Sequence, residues 1–130
     1  MTIEQRIKLQ IIRDALKFGE FPMLLPAEIN EENVDSLYEK FEEFSNLQDA
    51  KEEFRSSGEN TGIPCNFSRH YEGDSVGKQL DEGTWVGWTY WHGGGKHGEP
   101  EAIDWMDSAY ELAVTEEQKL VTVRTFKKSE

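Results

Sequence analysis

The stretch Trp88-Thr89-Tyr90-Trp91-His92-Gly93-Gly94-Gly95-Lys96-His97-Gly98-Glu99-Pro100 runs an aromatic strand into glycines flanked by two histidines and a lysine. Glycine N–H groups, with no Cβ in the way, can close around an anion or small ligand, and Lys96 would add charge. A hairpin loop calls for the same glycines, and that is the reading taken first. His92 and His97, joined by Glu99, Glu101, Asp104 or a distant His70, offer the mixed nitrogen and oxygen donors that divalent metals use, and such a metal would permit assisted hydrolysis. Their spacing selects no ion, so no metal or other cofactor is assigned, and His92 and His97 stand as the alternative ligands.

Two better-defined chemistries fail on the residues. Tyr90 stands five positions before Gly95 and His97 follows Lys96, where a phosphate-binding P-loop needs a glycine and a Ser or Thr. His92-Gly93-Gly94-Gly95 echoes the oxyanion loop of some hydrolases, but the chain contains no G-x-S-x-G elbow. No catalytic residue is assigned. Trp88, Tyr90 and Trp91, with His92, Lys96 and His97 beside them, form instead a candidate loop and aromatic surface for a small ligand or a protein partner. A strand alternates its faces, so at least one set of these rings must enter the core.

A second candidate surface is electrostatic. Glu31, Asp35, Glu39, Glu42 and Glu43 fall on neighbouring turns of a helix, whose pitch of roughly 5.4 Å would align them as a negative ridge. Such a ridge can imitate phosphates and occupy a basic groove with fast, salt-sensitive association; a solvated helix face explains it equally.

These groups need a scaffold, and the whole chain bounds it. At 130 residues it suits one domain, 1–130, with a helical half over 1–55 and a sheet-rich half over 63–127. Fourteen Lys and Arg against 26 Asp and Glu give a formal charge of −12, which disfavours direct binding to nucleic acid or anionic membranes. Glu20 to Glu59 concentrates the excess, with twelve acids against Lys40, Lys51 and Arg55. A single cysteine, Cys65, and the lack of a legible leader lead to an expected cytoplasmic location. The longest apolar runs, such as Phe21 to Leu25, are far short of the roughly 20 residues that span a bilayer.

Local patterns predict the elements. Thr2 and Gln5 form a capping-box pair before Ile3, Ile7, Ile11 and Ala15, so the first helix is expected over Ile3 to Phe18, ended by a left-handed Gly19. Asn30 is expected to cap a second helix with Val34, Leu37, Tyr38, Phe41 and Phe44 as its buried stripe, and a third, or a continuation, runs to Arg55. Ser56 to Gly62 reads as a loop. Phe67, Arg69 and Tyr71 alternate as a strand would; Thr84 to Trp91 is the strongest strand, with Val86, Trp88 and Tyr90 facing one way and Trp85, Thr89 and Trp91 the other. A short helix from Pro100 to Met106 and a hairpin of Tyr110 to Val114 with Leu120 to Phe126 complete the expectation. The fold class is α+β, N-terminal helices packed on a small antiparallel sheet.

The string from Val86 to Pro100 resembles segments of small bacteriophage- and prophage-encoded proteins. The resemblance implies a bacterial host cytoplasm and, by analogy, a role in binding a host protein; it carries over no site residue. Taken together, the residues favour a non-enzymatic acidic binding protein, a phage-encoded inhibitor of a basic-surfaced host nucleic-acid-handling or defence protein. The alternative is a metal-dependent hydrolase or small-ligand binder built on the His and Gly loop.

Overall fold

A computed structural model describes residues 1–19, 25–65, 68–94, 98–117 and 120–129. Three helices, α1 (Ile3–Phe18), α2 (Val34–Phe41) and α3 (Ser45–Ser56), precede a four-stranded antiparallel open sheet of β1 (Glu59–Asn60), β2 (Glu72–Gln79), β3 (Trp85–His92) and β4 (Tyr110–Glu111). The strands lie side by side in chain order. This is the expected α+β class. Among the described residues, no helix is long and apolar enough to cross a membrane.

Thr2 and Gln5 close the capping box from both sides, at 3.1 and 2.9 Å, satisfying two donors that a helix start leaves orphaned. Gly19 does not take the left-handed conformation; at φ 162° it leaves α1 as extended backbone. Asn30 does not cap the regular helix, whose cap position is Asn33; its side chain closes the turn before it, accepting from the N–H groups of Glu32 and Asn33 while the Asn33 side chain accepts from Asn30 N–H. That reciprocal turn precedes the regular helix, so α2 begins only at Val34. Val34, Leu37, Tyr38 and Phe41 are buried, and α3 is a separate helix, with Leu47, Ala50 and Phe54 buried.

One cluster of buried side chains joins all three helices to the sheet. Its centre is aromatic: Trp88 lies 5.0 Å from Phe54 and 5.6 Å from Trp105, and Phe54 and Trp105 stack at 5.9 Å, ring centroid to centroid. Trp88 also donates from Nε1 to the Arg55 carbonyl at 3.1 Å, so its polar atom is satisfied inside the core. At the far end, Gln10 of α1 clasps the β2–β3 turn. Its amide donates to the Asp81 carboxylate at 2.9 Å and accepts from Asp81 N–H at 3.0 Å.

The sheet departs from expectation in three places. Phe67 lies outside the described residues, Arg69 and His70 form a bend, and the strand begins at Glu72. Part of the expected 56–62 loop is β1, paired Glu59 to Gly77 and Asn60 to Val76. Among the described residues the expected hairpin with 120–126 does not form: β4 is two residues long and pairs with β3, while Leu120, Val121, Val123 and Phe126 are fully or largely exposed. β propensity alone gives such a run no partner. The expected helix from Pro100 shortens to a 3₁₀ turn at Pro100–Ala102, after which Trp105 and Met106 enter the core.

Strand faces follow the predicted alternation. Val86 and Trp88 are wholly buried toward the helices, and Gly87 on the opposite face receives the Tyr110 ring, which would lie 2.7 Å from any added Cβ. Gly87→Ala should therefore cost about 1–3 kcal/mol of stability by overpacking, read from denaturant unfolding. Deleting 120–130 should leave Tm essentially unchanged, and a drop of several degrees would show that the run does pair within the fold.

Candidate functional site

The glycine loop is part of a long connection from β3 to β4, with the 3₁₀ turn inside it. Gly93 and Gly94 have φ of 80° and 87°, a conformation that other residues rarely adopt. A Cβ on Gly98 would sit 2.8 Å from Gly94 backbone atoms, so backbone closeness accounts for these two glycines without a ligand. Lys96 and His97 lie outside the described residues.

His92 does find carboxylates, though not those considered from the sequence. Its Nε2 is 2.9 Å from Asp74 and its Nδ1 is 3.7 Å from Glu72, the residue directly opposite in the β2–β3 register. Tyr90 stacks on the imidazole at 5.4 Å and receives the Arg55 guanidinium at 4.8 Å from its own centroid. Arg55, anchored by Glu52, donates to the Trp91 carbonyl at 2.8 Å. With its ring nitrogens turned to Asp74 and Glu72, His92 acts as a tie across two strands. Among the described residues no three His, Cys, Asp or Glu side chains are grouped to hold a metal; His70 is exposed in its bend.

The aromatic candidates divide as strand alternation requires. Trp88 is core, Tyr90 packs against the core, and Trp91 lies half-buried on the other face across Gly73. They do not make one exposed platform.

The acidic candidates divide as well. Asp35 and Glu39 stand on α2, Glu31 in the turn before it, and Glu42 and Glu43 in the turn after. Glu31 meets the N-terminal ammonium at 3.4 Å, and Asp35 meets Lys8 at 3.0 Å and the Gln5 amide at 3.1 Å. Hydrogen bonds from Lys8 and then Gln5 hold the Asp35 carboxyl below its usual range. For Lys8, the lowering effect of burial is outweighed by Asp35 and Glu4, and its pKa rises. Glu39, Glu42 and Glu43 are exposed, and among the described residues no cation pairs with them.

Glu42 also belongs to a second feature that sequence reasoning missed. A cavity of about 260 Å³ lies between α1, α2 and the 101–106 segment, lined by Glu4, Lys8, Tyr38, Glu42, Lys51 and the residues from Glu101 to Met106. Tyr38 and Trp105 are each 2% exposed, and among the described residues neither the Tyr38 hydroxyl nor the Trp105 indole N–H has a hydrogen-bond partner. Burial, then the charges of Glu42, Asp104 and Glu4, push the phenol pKa well above its ordinary value, so the hydroxyl feels three of the carboxylates around the cavity. From the sequence, Tyr38 was one member of an apolar stripe. The only local cue to the cavity was acids placed beside an aromatic in Glu101-Ala-Ile-Asp104-Trp105.

Comparison with known protein families, curated proteins and solved structures finds no match to the chain.

An unpartnered buried hydroxyl costs on the order of 1–3 kcal/mol. Tyr38→Phe should accordingly raise stability by about 1 kcal/mol at neutral pH. The raised phenol pKa adds a sign: this group's contribution is intact below the unfolded value near 10 and declines as pH rises above it, because only the unfolded chain ionises readily. The stability gap between Tyr38→Phe and the parent should widen in alkaline denaturant melts; a destabilised variant would show that the hydroxyl is bonded.

Proposed function

We propose that this is a non-enzymatic binding protein that docks a basic-surfaced protein through Glu39, Glu42 and Glu43. The observation that carries this reading is the division of the acidic segment. Glu31 and Asp35, though exposed, are paired with the N-terminal ammonium and Lys8, whereas the three glutamates at the end of α2 are exposed and, among the described residues, have no cation paired with them. Like charges held close together on a folded surface repel one another, and a cationic partner relieves that repulsion while gaining steering over a Debye length of roughly 8–10 Å.

The resemblance of the Val86 to Pro100 string to phage and prophage proteins extends the reading to a setting. In it the protein acts in a bacterial host cytoplasm as an inhibitor, covering the basic groove of a nucleic-acid-handling or defence protein. The carboxylates then take the place of the phosphates such a groove binds.

Capture from a bacterial lysate at low ionic strength should recover a basic protein whose retention falls steeply with added salt. Reversing Glu39, Glu42 and Glu43 to lysine should abolish that retention while leaving Tm nearly unchanged, since exposed substitutions alter stability by only about 0.5 kcal/mol each. A partner held equally well by the reversed variant would sink the proposal.

A further inference from the structure

The cavity beneath Glu42 is small, about 260 Å³, below the roughly 300–1,000 Å³ of sites that take a whole small molecule. It has room for about one side chain. Its two kinds of wall ask for different things. The carboxylates of Glu4, Glu42, Glu101 and Asp104 outnumber the ammonium groups of Lys8 and Lys51, and Lys8 is already engaged by Glu4 and Asp35. The excess favours a cation. Trp105 Nε1–H can only donate, so it asks for an acceptor, and a bare cationic group has none to give. The Tyr38 hydroxyl can serve either way.

A ligand satisfies both demands only if it carries a cation and a carbonyl a short distance apart. A basic residue within a peptide is such a ligand. Between the two long basic side chains, guanidinium spreads its charge over five N–H donors and is more weakly hydrated than ammonium, which suits several carboxylates at a partly buried site.

We propose that this cavity receives one arginine of the docked partner, with its guanidinium against Glu42 and Asp104, its backbone carbonyl on Trp105 Nε1–H, and the Tyr38 hydroxyl bridging the two. This rests on the docking reading above and gives it a specific anchor. Both indole N–H and hydroxyl are closed to water as the cavity stands, so entry requires the rim to part. The rim provides for that: Glu42 and Glu101 are exposed and Lys51 is half-buried, and such side chains change rotamer in picoseconds to nanoseconds.

The test uses the full ¹⁵N-labelled chain, with the Trp105 indole resonance assigned through backbone connectivities. N-acetyl-arginine N-methylamide is the probe. Its citrulline counterpart keeps the shape and the carbonyl and lacks the charge. The arginine probe should move the Trp105 indole signal saturably, with a Kd on the order of a few millimolar, as befits a ligand of one residue. The citrulline probe should bind about tenfold more weakly, and so should the arginine probe to the Glu101→Gln, Asp104→Asn double variant, which leaves Glu39, Glu42 and Glu43 in place. Tyr38→Phe should weaken binding while its own fold becomes more stable, which separates a lost contact from a lost structure.

A silent indole signal, or equal shifts from both probes, would overturn the proposal and leave the two donors as a buried cost or a hydration site. The two readings fail separately. If the arginine probe binds as described but the lysine-reversed variant still captures its partner, the docking surface is wrong and the cavity stands. If capture depends on charge but Trp105 does not respond, the cavity assignment falls alone.

Discussion

The packing of Phe54, Trp88 and Trp105 is the constraint on which the remaining structure depends. These rings come from α3, β3 and the connection before β4, three segments with no local reason to meet, and their centroids lie within 5.0–5.9 Å of one another. Large aromatics contribute the most burial per ordered side chain, and the bond from Trp88 to the Arg55 carbonyl adds direction to that burial. With α3 held so, Arg55 is placed to reach Trp91 and Tyr90, which fixes the β3 end where His92 joins Asp74. Trp105 is placed too, and a ring stacked on Phe54 and tilted against Trp88 cannot swing round to find its N–H an acceptor. The unpaired donor in the cavity is thus a consequence of the core.

Electrostatics then decides which acids remain available. The stretch before Gly19 carries four bases against two acids, and α1 lies against the strongly acidic segment that follows. Lys8 bonds Asp35 and stands 5.5 Å from the Tyr38 ring centre, and the N-terminal ammonium meets Glu31. These contacts neutralise the start of α2 and its approach. Among the described residues the far end of α2 receives no such cover, so the net negative surface is displaced toward Glu39, Glu42 and Glu43 and onward to the acids of the 101–104 segment. A ridge that looked uniform in one dimension becomes polarised once α1 is folded against it.

What could be read from the sequence was what depends on near neighbours. The Thr2 and Gln5 box, the 3.6-residue stripes and the two-residue alternation of Val86, Trp88 and Tyr90 all arise within a few positions of the chain. β2 escaped because Glu-Gly-Asp-Ser-Val-Gly-Lys-Gln lacks the apolar rhythm of a strand; its glycines are matched to distant side chains, Gly73 to Trp91 and Gly77 to Leu112. Residues 120–126 have the rhythm but, among the described residues, no strand paired with them, and pairing is what makes a strand. The cavity was hidden for the same reason. Tyr38 at helical spacing is what a buried stripe requires, and nothing within α2 reveals that its hydroxyl would meet the acids and the indole of a segment more than sixty residues away.

The cavity also bears on how an acidic surface becomes selective. Net charge attracts any cation and discriminates poorly, since exposed pairs contribute little each and are screened by salt. Buried donors behave differently. Phenylalanine at 38 would fill nearly the same space as tyrosine without the hydroxyl's desolvation cost, so the unpaired hydroxyl holds the protein below its attainable stability by an amount that returns only when a correctly placed acceptor arrives. A polyamine-like cation brings no such acceptor beside its charge and recovers none of it. Specificity then comes from the state without ligand: long-range charge gathers candidates, and the unpaired hydroxyl and indole N–H reward the one whose carbonyl lies at the right distance from its guanidinium.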